Sequence, residues 1–280
     1  MDFSIVVPYY NADRYIERCA QALLDQNYPQ DRYEIILVEN NSKDQSTAIL
    51  ERFDRLRILH EPQQGSYAAR NRGVEAATGE IIAFTDPDCA PRQDWLQQIA
   101  SALASPDVGM VLGNRLFAST DHLMTMLAAY ESGVVARTFA GRHTASYFAY
   151  TNNMAVRRSI FEELGEFKEI MRGADSLFLR QAAERYGAHI VNYAHEMVVT
   201  HLEMVTIEDY LRKKKTYGMV TANNRDMNPP TSLPLTHRIK LAIQAMSGQQ
   251  GSIRHLAEFG TVLARGAIRF AWERARHKPK

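Results

Sequence analysis

Residues 79–88 read Gly79-Glu80-Ile81-Ile82-Ala83-Phe84-Thr85-Asp86-Pro87-Asp88. The run from Ile81 to Thr85 is apolar and too short for a helix, with a glycine before it and a proline soon after, so it is a buried strand. Pro87 cannot donate a ladder hydrogen bond and holds Asp86 extended, so strand pairing ends there. Two carboxylates one residue apart, directly beyond such a strand, present hard oxygen ligands to a divalent cation, Mg2+ or Mn2+. A D-x-D pattern alone is more often a solvated surface turn. Its place at a strand end is what gives it weight.

Strand-like and helix-like segments alternate on the N-terminal side of this stretch. Residues 3–8, 33–39 and 56–60 are apolar strand patterns, and 13–26, 44–54 and 66–77 have helical spacing. Downstream, Pro91 is expected to open a helix carrying Trp95, Leu96 and Ile99. Short strands alternating with helices imply right-handed crossovers and a mostly parallel α/β sheet. Beyond residue 108 the pattern loosens. Strands are expected at 108–117 and 147–156, helices near 121–136, 159–164 and 174–186, and an extended stretch at 189–200. From 206 onward the chain reads as helix, broken at Asn228-Pro229-Pro230.

Ligands of an open parallel sheet bind beyond the carboxyl ends of its strands. There the first strand continues as Pro8-Tyr9-Tyr10-Asn11 and the second as Glu39-Asn40-Asn41-Ser42. No glycine-rich dinucleotide or triphosphate loop follows the first strand, which weakens the usual nucleotide-fold expectations.

Composition bounds the rest. The 280 residues carry 33 Lys and Arg against 32 Asp and Glu, yet the near-neutral total hides a division. Residues 1–203 hold 19 basic and 27 acidic residues, whereas 204–280 hold 14 basic and 5 acidic. Cys19 and Cys89 are too few for a disulfide scaffold or a cysteine-rich zinc site and are expected to be buried. Without a basic, cleavable leader pattern or an apolar run of about 18 residues, a cytoplasmic, reduced protein is expected.

Four motifs in order, Ser4-Ile5-Val6-Val7-Pro8-Tyr9-Tyr10-Asn11, residues 34–44, Ala69-Arg70-Asn71-Arg72-Gly73 and residues 79–88, resemble a family 2 glycosyltransferase of GT-A fold. The resemblance continues through Asn153-Met154-Ala155-Val156-Arg157-Arg158, Gly165-Glu166-Phe167 and Gly173-Ala174-Asp175, and covers roughly residues 3–202. It implies a mostly parallel, Rossmann-like central sheet flanked by helices, with a helical C-terminal appendage. Residues 1–112 would form the nucleotide-sugar-binding half and 113–205 the acceptor-binding and catalytic-base half of one domain. Residues 206–280 would be a basic helical extension.

The same resemblance implies roles. Pro8, Tyr9 and Glu39 would line the nucleoside pocket, with Arg70 and Asn71 near the nucleotide and Asn152 and Asn153 facing the donor sugar. Asp86 and Asp88 would meet the diphosphate and its Mn2+ or Mg2+, and His201 would complete the metal site. Asp175 would be the catalytic base of an inverting transfer from a nucleotide-diphosphate sugar, a UDP-sugar first among candidates, to a saccharide or lipid-linked acceptor. Two positions depart from the family pattern: Glu39 stands where Asp is usual, and Ala174 where an acidic neighbour of the base is usual. They keep open a nucleotide-binding scaffold without turnover, and a nucleotidyltransferase is a third alternative.

In the tail, Arg254, Arg265, Arg269 and Arg276 gather on one helical face, opposite Leu256, Phe259, Leu263, Ala267 and Phe270. The apolar stripe is expected to pack within the molecule. An anionic membrane surface is the rival contact, which would make the protein peripheral at the inner face. Nucleic acid is not an expected partner, because the acidic body would repel phosphates.

Overall fold

A computed structural model describes residues 1–142, 144–223, 233–247 and 253–277. The expected break at Asn228-Pro229-Pro230 lies outside these residues, as do the side chains of Arg254 and Leu256. In chain order the elements are β1 (Phe3–Tyr9), α1 (Ile16–Leu24), β2 (Tyr33–Glu39), α2 (Ser46–Leu50), β3 (Leu56–His60), α3 (Ser66–Ala76), β4 (Ile81–Thr85), β5 (Cys89–Pro91) and α4 (Trp95–Ala102). There follow β6 (Met110–Phe117), α5 (His122–Ala140), β7 (Asn153–Arg157), α6 (Arg158–Leu164), α7 (Ala174–Tyr186), β8 (Val191–His201), α8 (Ile207–Asn223), α9 (Leu235–Ser247) and α10 (Ile253–Arg276).

The strands form one sheet in the order β3-β2-β1-β4-β7-β6-β8-β5. β1 pairs parallel with β2 and β4, and β2 parallel with β3, while β7 runs antiparallel to both β4 and β6. The expected α/β class, with a largely parallel first half, is what the chain forms.

Alternation along the strands separates two packed faces. Phe3, Ile5, Val7 and Tyr9 of β1 and Ile81 and Ala83 of β4 join a core with Ile16, Cys19 and Leu23 of α1 and Trp95, Leu96 and Ile99 of α4. On the opposite face Phe84 meets Phe161 and Phe167, with ring centroids 6.0 and 5.5 Å away. Helix α3 approaches that face so closely that a Cβ on Gly73 would sit 2.3 Å from Val6 Cγ1. Only glycine lets the helix carrying Arg70 and Asn71 lie this near the sheet.

Two expectations are corrected. Pro91 does not open a helix. It ends the short edge strand β5, where its missing N–H costs no ladder bond, and α4 starts at Trp95. Arg92 N then donates to Val198 O at 3.0 Å, which ties this edge to β8. The strand expected over 147–156 begins only at Asn153. Ahead of it Ala149 N donates to Ser176 Oγ at 3.0 Å, so the backbone turns toward α7 rather than along the sheet.

The chain divides into two compact units. The first comprises 1–115 and 142–200 and holds the sheet and the strand-end motifs. The second comprises 116–141 and 201–280, so α5 groups with the C-terminal helices. Its core contains Met124, Leu127, Tyr130, Tyr210, Leu211, Phe259 and Val262. No helix among the described residues is long and apolar enough to cross a membrane.

Candidate functional site

Parallel register sets the last residues of the first three strands side by side: Tyr9 opposite Glu39, and Glu39 opposite His60. Pro8 and Tyr9 are buried at this edge. The Tyr9 hydroxyl lies 3.0 Å from Thr47 Oγ1, and burial pushes its pKa up to about 12. Glu39 accepts a short hydrogen bond from Ser42 N, and its other oxygen is 2.7 Å from His60 Nδ1. Burial raises the Glu39 carboxyl, but the N–H of Ser42, His60 and the N–H of Asn41 outweigh it and hold the carboxyl below its ordinary value.

The loops beyond these strands brace one another. Lys43 N donates to Asn11 Oδ1 at 2.8 Å, and Asn11 N to Ser42 Oγ at 3.1 Å. Asn11 and Asn41 take positive φ, 47° and 66°, which asparagine tolerates better than most residues. Asn40 Nδ2 donates to the carbonyls of Glu61 and Gln63, and its Oδ1 accepts from Gly65 N. Gly65 precedes α3, so the second strand's loop fixes the start of the helix that bears Arg70.

Arg70 holds the strand-end carboxylate of Asp86. Its Nη2 lies 2.5 Å from Asp86 Oδ1, its guanidinium carbon is 5.3 Å from the Tyr67 ring centroid, and its charge opposes the burial-driven rise at Asp175. The side chain is 5% exposed and its Nε has no hydrogen-bond partner among the described residues. Asp175 is buried at the first turn of α7, accepting from Ser176 N at 2.8 Å and from Thr151 N at 3.2 Å. Burial is the largest influence on its carboxyl and pushes it above the ordinary range, against Arg70 and these donors. Tyr67 completes the group; its hydroxyl accepts from Gly173 N at 3.0 Å, and burial pushes its phenol up. Sequence reading passed over Tyr67, although its position one turn before Arg70 on α3 places both on one face.

The asparagines divide by how completely they are bonded. Both ends of Asn71 are occupied by Phe167, Nδ2 donating to its carbonyl at 2.9 Å and Oδ1 accepting its N–H at 3.1 Å. Asn153 is likewise full, accepting from Trp95 Nε1 at 2.8 Å and donating to the carbonyls of Asn114 and Met197. These two hold backbone in place. Asn152 is buried, with its carbonyl accepting from Thr85 Oγ1 at 3.0 Å, yet its Oδ1 has no partner among the described residues. Asn114 on β6 shares that condition and was not foreseen, because one asparagine in a strand pattern carries no sequence signal.

Asp88 follows β4 half-buried, and Cys89 Sγ lies 3.6 Å from its Oδ1. One Asp86 oxygen is engaged by Arg70, and the carboxylates of Asp86 and Asp88 are hard oxygen donors of the kind Mg2+ or Mn2+ takes. His201 ends β8 and belongs to the second unit, where its Nε2 lies 3.3 Å from Lys213 Nζ. Both cysteines are buried and neither forms a disulfide.

The profile described as glycosyl transferase family 2 matches residues 4–165. The chain belongs to this family. Glycosyltransferase AglE of Haloferax volcanii is 33% identical over 207 residues, 71% of this chain and 66% of that protein, so the match stays just under two thirds of the relative's length. Among solved structures, mannosyltransferase PcManGT from Pyrobaculum calidifontis, in complex with GDP-Man and Mn2+, superposes with a TM-score of 0.62 at 20% identity, covering 98% of this chain and 84% of that one. TarS of S. aureus in complex with UDP-GlcNAc gives 0.58 at 16% identity, covering 99% and 84%. At these identities the likeness is one of fold, and the GT-A architecture of this family 2 chain is established.

Proposed function

We propose that the chain is a divalent-cation-dependent, inverting glycosyltransferase that moves a sugar from a nucleotide-diphosphate donor to a saccharide or lipid-linked acceptor. One observation carries the reading: the buried Arg70 is paired with the strand-end carboxylate Asp86, and its charge also acts on the buried Asp175. A site for the leaving diphosphate and a site for a base thus share one cation. Pro8, Tyr9 and Glu39 would hold the nucleoside, Glu39 accepting an N–H from the base edge. The nucleotide ligands of PcManGT and TarS support a nucleotide sugar as donor class and leave the base open between guanine and uracil.

Asp86, Asp88 and His201 would hold the cation. When bound, Mn2+ or Mg2+ supplies Lewis-acid stabilisation of the leaving diphosphate. Asp175 takes the proton of the acceptor hydroxyl as that oxygen bonds to the anomeric carbon and the carbon's bond to the diphosphate oxygen breaks. Burial holds its carboxyl above the ordinary range, which makes its ionised form a stronger base than a free carboxylate. Asn152 Oδ1 would accept a hydroxyl of the bound sugar, while Asn71 and Asn153 position the surrounding backbone. Attack opposite the leaving group inverts the anomeric centre, so an α-linked donor gives a β-linked product.

Incubation with a panel of UDP-, GDP- and dTDP-sugars and Mn2+ tests this reading, with NMR of any product. Release of nucleoside diphosphate with an inverted anomeric proton is expected. Release of pyrophosphate, retained configuration, or tight nucleotide binding without turnover on any acceptor would contradict it.

A further inference from the structure

Helix α10 uses one face for its own unit. Phe259 and Val262 are buried at 1% and 5% exposure, in a cluster with Met124, Leu127, Tyr130 and Leu211. Of the apolar stripe expected to pack within the molecule, Phe259 is buried and Leu263 and Phe270 half-buried, whereas Ala267 is exposed. The opposite face is not the purely arginine-lined surface that the sequence pattern suggests. Ile268 and Trp272 stand out from it at 68% and 55% exposure.

At about 100° per residue these two side chains lie about 40° apart on the helix. Ala264, Ala271 and Ala275, all exposed, extend them into an apolar ridge. Arg265, Arg269 and Arg276 follow along one edge of that ridge. Arg265 and Arg276 are exposed, Arg276 lies 5.0 Å from the Trp272 ring centroid, and Arg269 pairs with Glu208 at 2.9 Å. Helix α9 repeats the design, with Ile239 and Ile243 four residues apart at 51% and 54% exposure and Lys240 exposed beside them.

We propose that this outer face of α10 seats on an anionic phospholipid surface. Ile268 and Trp272 enter the boundary between headgroups and acyl chains, and Arg265 and Arg276 meet lipid phosphates. Charge complementarity selects this occupant, since residues 204–280 carry 14 basic against 5 acidic residues and an anionic leaflet attracts such a segment. The side-chain types agree: tryptophan favours the interfacial layer, and arginine keeps its stem along apolar surface while its head stays in the polar zone. A protein partner fits less well, because two large side chains fall far short of the roughly 800 Å2 per partner of a standard interface. The proposal stands apart from the transferase reading and needs neither nucleotide nor turnover.

The chain has two tryptophans, and Trp95 is fully buried, so emission changes on membrane contact report Trp272. The full chain is mixed with vesicles of phosphatidylcholine alone or with about one third phosphatidylglycerol, followed by emission and by co-sedimentation. A blue shift and sedimentation with the anionic vesicles are expected, both weakened by salt. Ile268→Ser with Trp272→Ser, and separately Arg265→Glu with Arg276→Glu, should each lower partitioning by about tenfold or more. Circular dichroism and thermal melting confirm that these exposed substitutions leave the fold intact. Equal partitioning of wild type and either double variant, or equal binding to neutral vesicles, would overturn the proposal. So would self-association without vesicles that the serine variant abolishes, which would make the ridge a protein interface.

Discussion

The two units treat buried charge in opposite ways. In the first, Arg70 Nε, Asn114 Oδ1 and Asn152 Oδ1 are buried without a hydrogen-bond partner among the described residues, and Asp175 is held with its pKa raised. In the second, His237 Nδ1 is also without a hydrogen-bond partner among the described residues, but the carboxylates are met by cations. Glu131 Oε1 lies 2.5 Å from Lys214 Nζ and 3.1 Å from the Tyr210 hydroxyl, and the nearly inaccessible Glu273 lies between Lys215 and His277. Buried polar atoms left incomplete in a native fold call for an explanation, and a ligand supplies one. Completed groups need none beyond packing. The carboxylates therefore carry the contrast: Asp175 is held with its pKa raised by burial, whereas Glu131 and Glu273 each sit against a lysine.

The sharpest way to break this contrast is Asp175→Asn. It keeps the side chain's shape and removes the base, so kcat should fall about 10²- to 10⁴-fold while calorimetry shows nucleotide binding preserved. Equal losses of binding and turnover would make Asp175 a structural residue of α7.

Next in size is the pair in the second unit. Lys214→Met leaves the three-quarters-covered Glu131 without its cation and should cost about 1.5–3 kcal/mol in a denaturant melt. Adding Glu131→Leu should recover most of that loss, since replacing a whole buried pair by apolar residues is often neutral. No recovery in the double variant would mean that the pair matters as an ion pair and not through the cost of isolating one charge.

A difference of similar size should separate two neighbouring asparagines. Asn153→Ala removes three buried hydrogen bonds and should destabilise by about 2–4 kcal/mol, whereas Asn114→Ala leaves nothing newly unpaired and should cost about 1 kcal/mol or less. If both cost the same, the incomplete bonding of Asn114 has no functional meaning.

The smallest effect is a pH trend. Because the fold raises the Asp175 carboxyl, it favours the protonated form. That contribution to stability is complete below the ordinary carboxyl value, about 3.9, and is lost as pH rises through the raised value. Measured against Asp175→Asn, wild-type stability should fall over that window, while kcat rises over the same window as the base ionises. An acid limb at or below the ordinary value would contradict the raised pKa.

How much of this was legible in the sequence follows from where each signal resides. Strand ends at Tyr9, Glu39 and Asp86 could be read because apolar runs and turn residues are local, and the parallel half of the sheet follows from them. The Pro91 strand could not be read, since only its pairing beside β8, about a hundred residues away, distinguishes it from a helix start. The bonded states of Asn71 and Asn153 were hidden for the same reason: their partners at Phe167 and Met197 are distant in sequence. Tyr67 could have been found from its spacing to Arg70. The exposed ridge of α10 could not, because Ile268 and Trp272 in a helix usually mean core, and only packing shows which of two apolar sectors is used.

Calorimetric titration of UDP and GDP into the wild type and Asp88→Ala, with Mn2+ and again with excess chelator, tests the central claim most directly. Wild type should bind one of the two at least about tenfold more tightly with Mn2+ than without, a difference of about 1.4 kcal/mol, and Asp88→Ala should lose that difference while still melting cooperatively. Equal affinity with Mn2+ and with chelator, or an undiminished Mn2+ effect in Asp88→Ala, would contradict the assignment of the β4 strand end as the cation and diphosphate site.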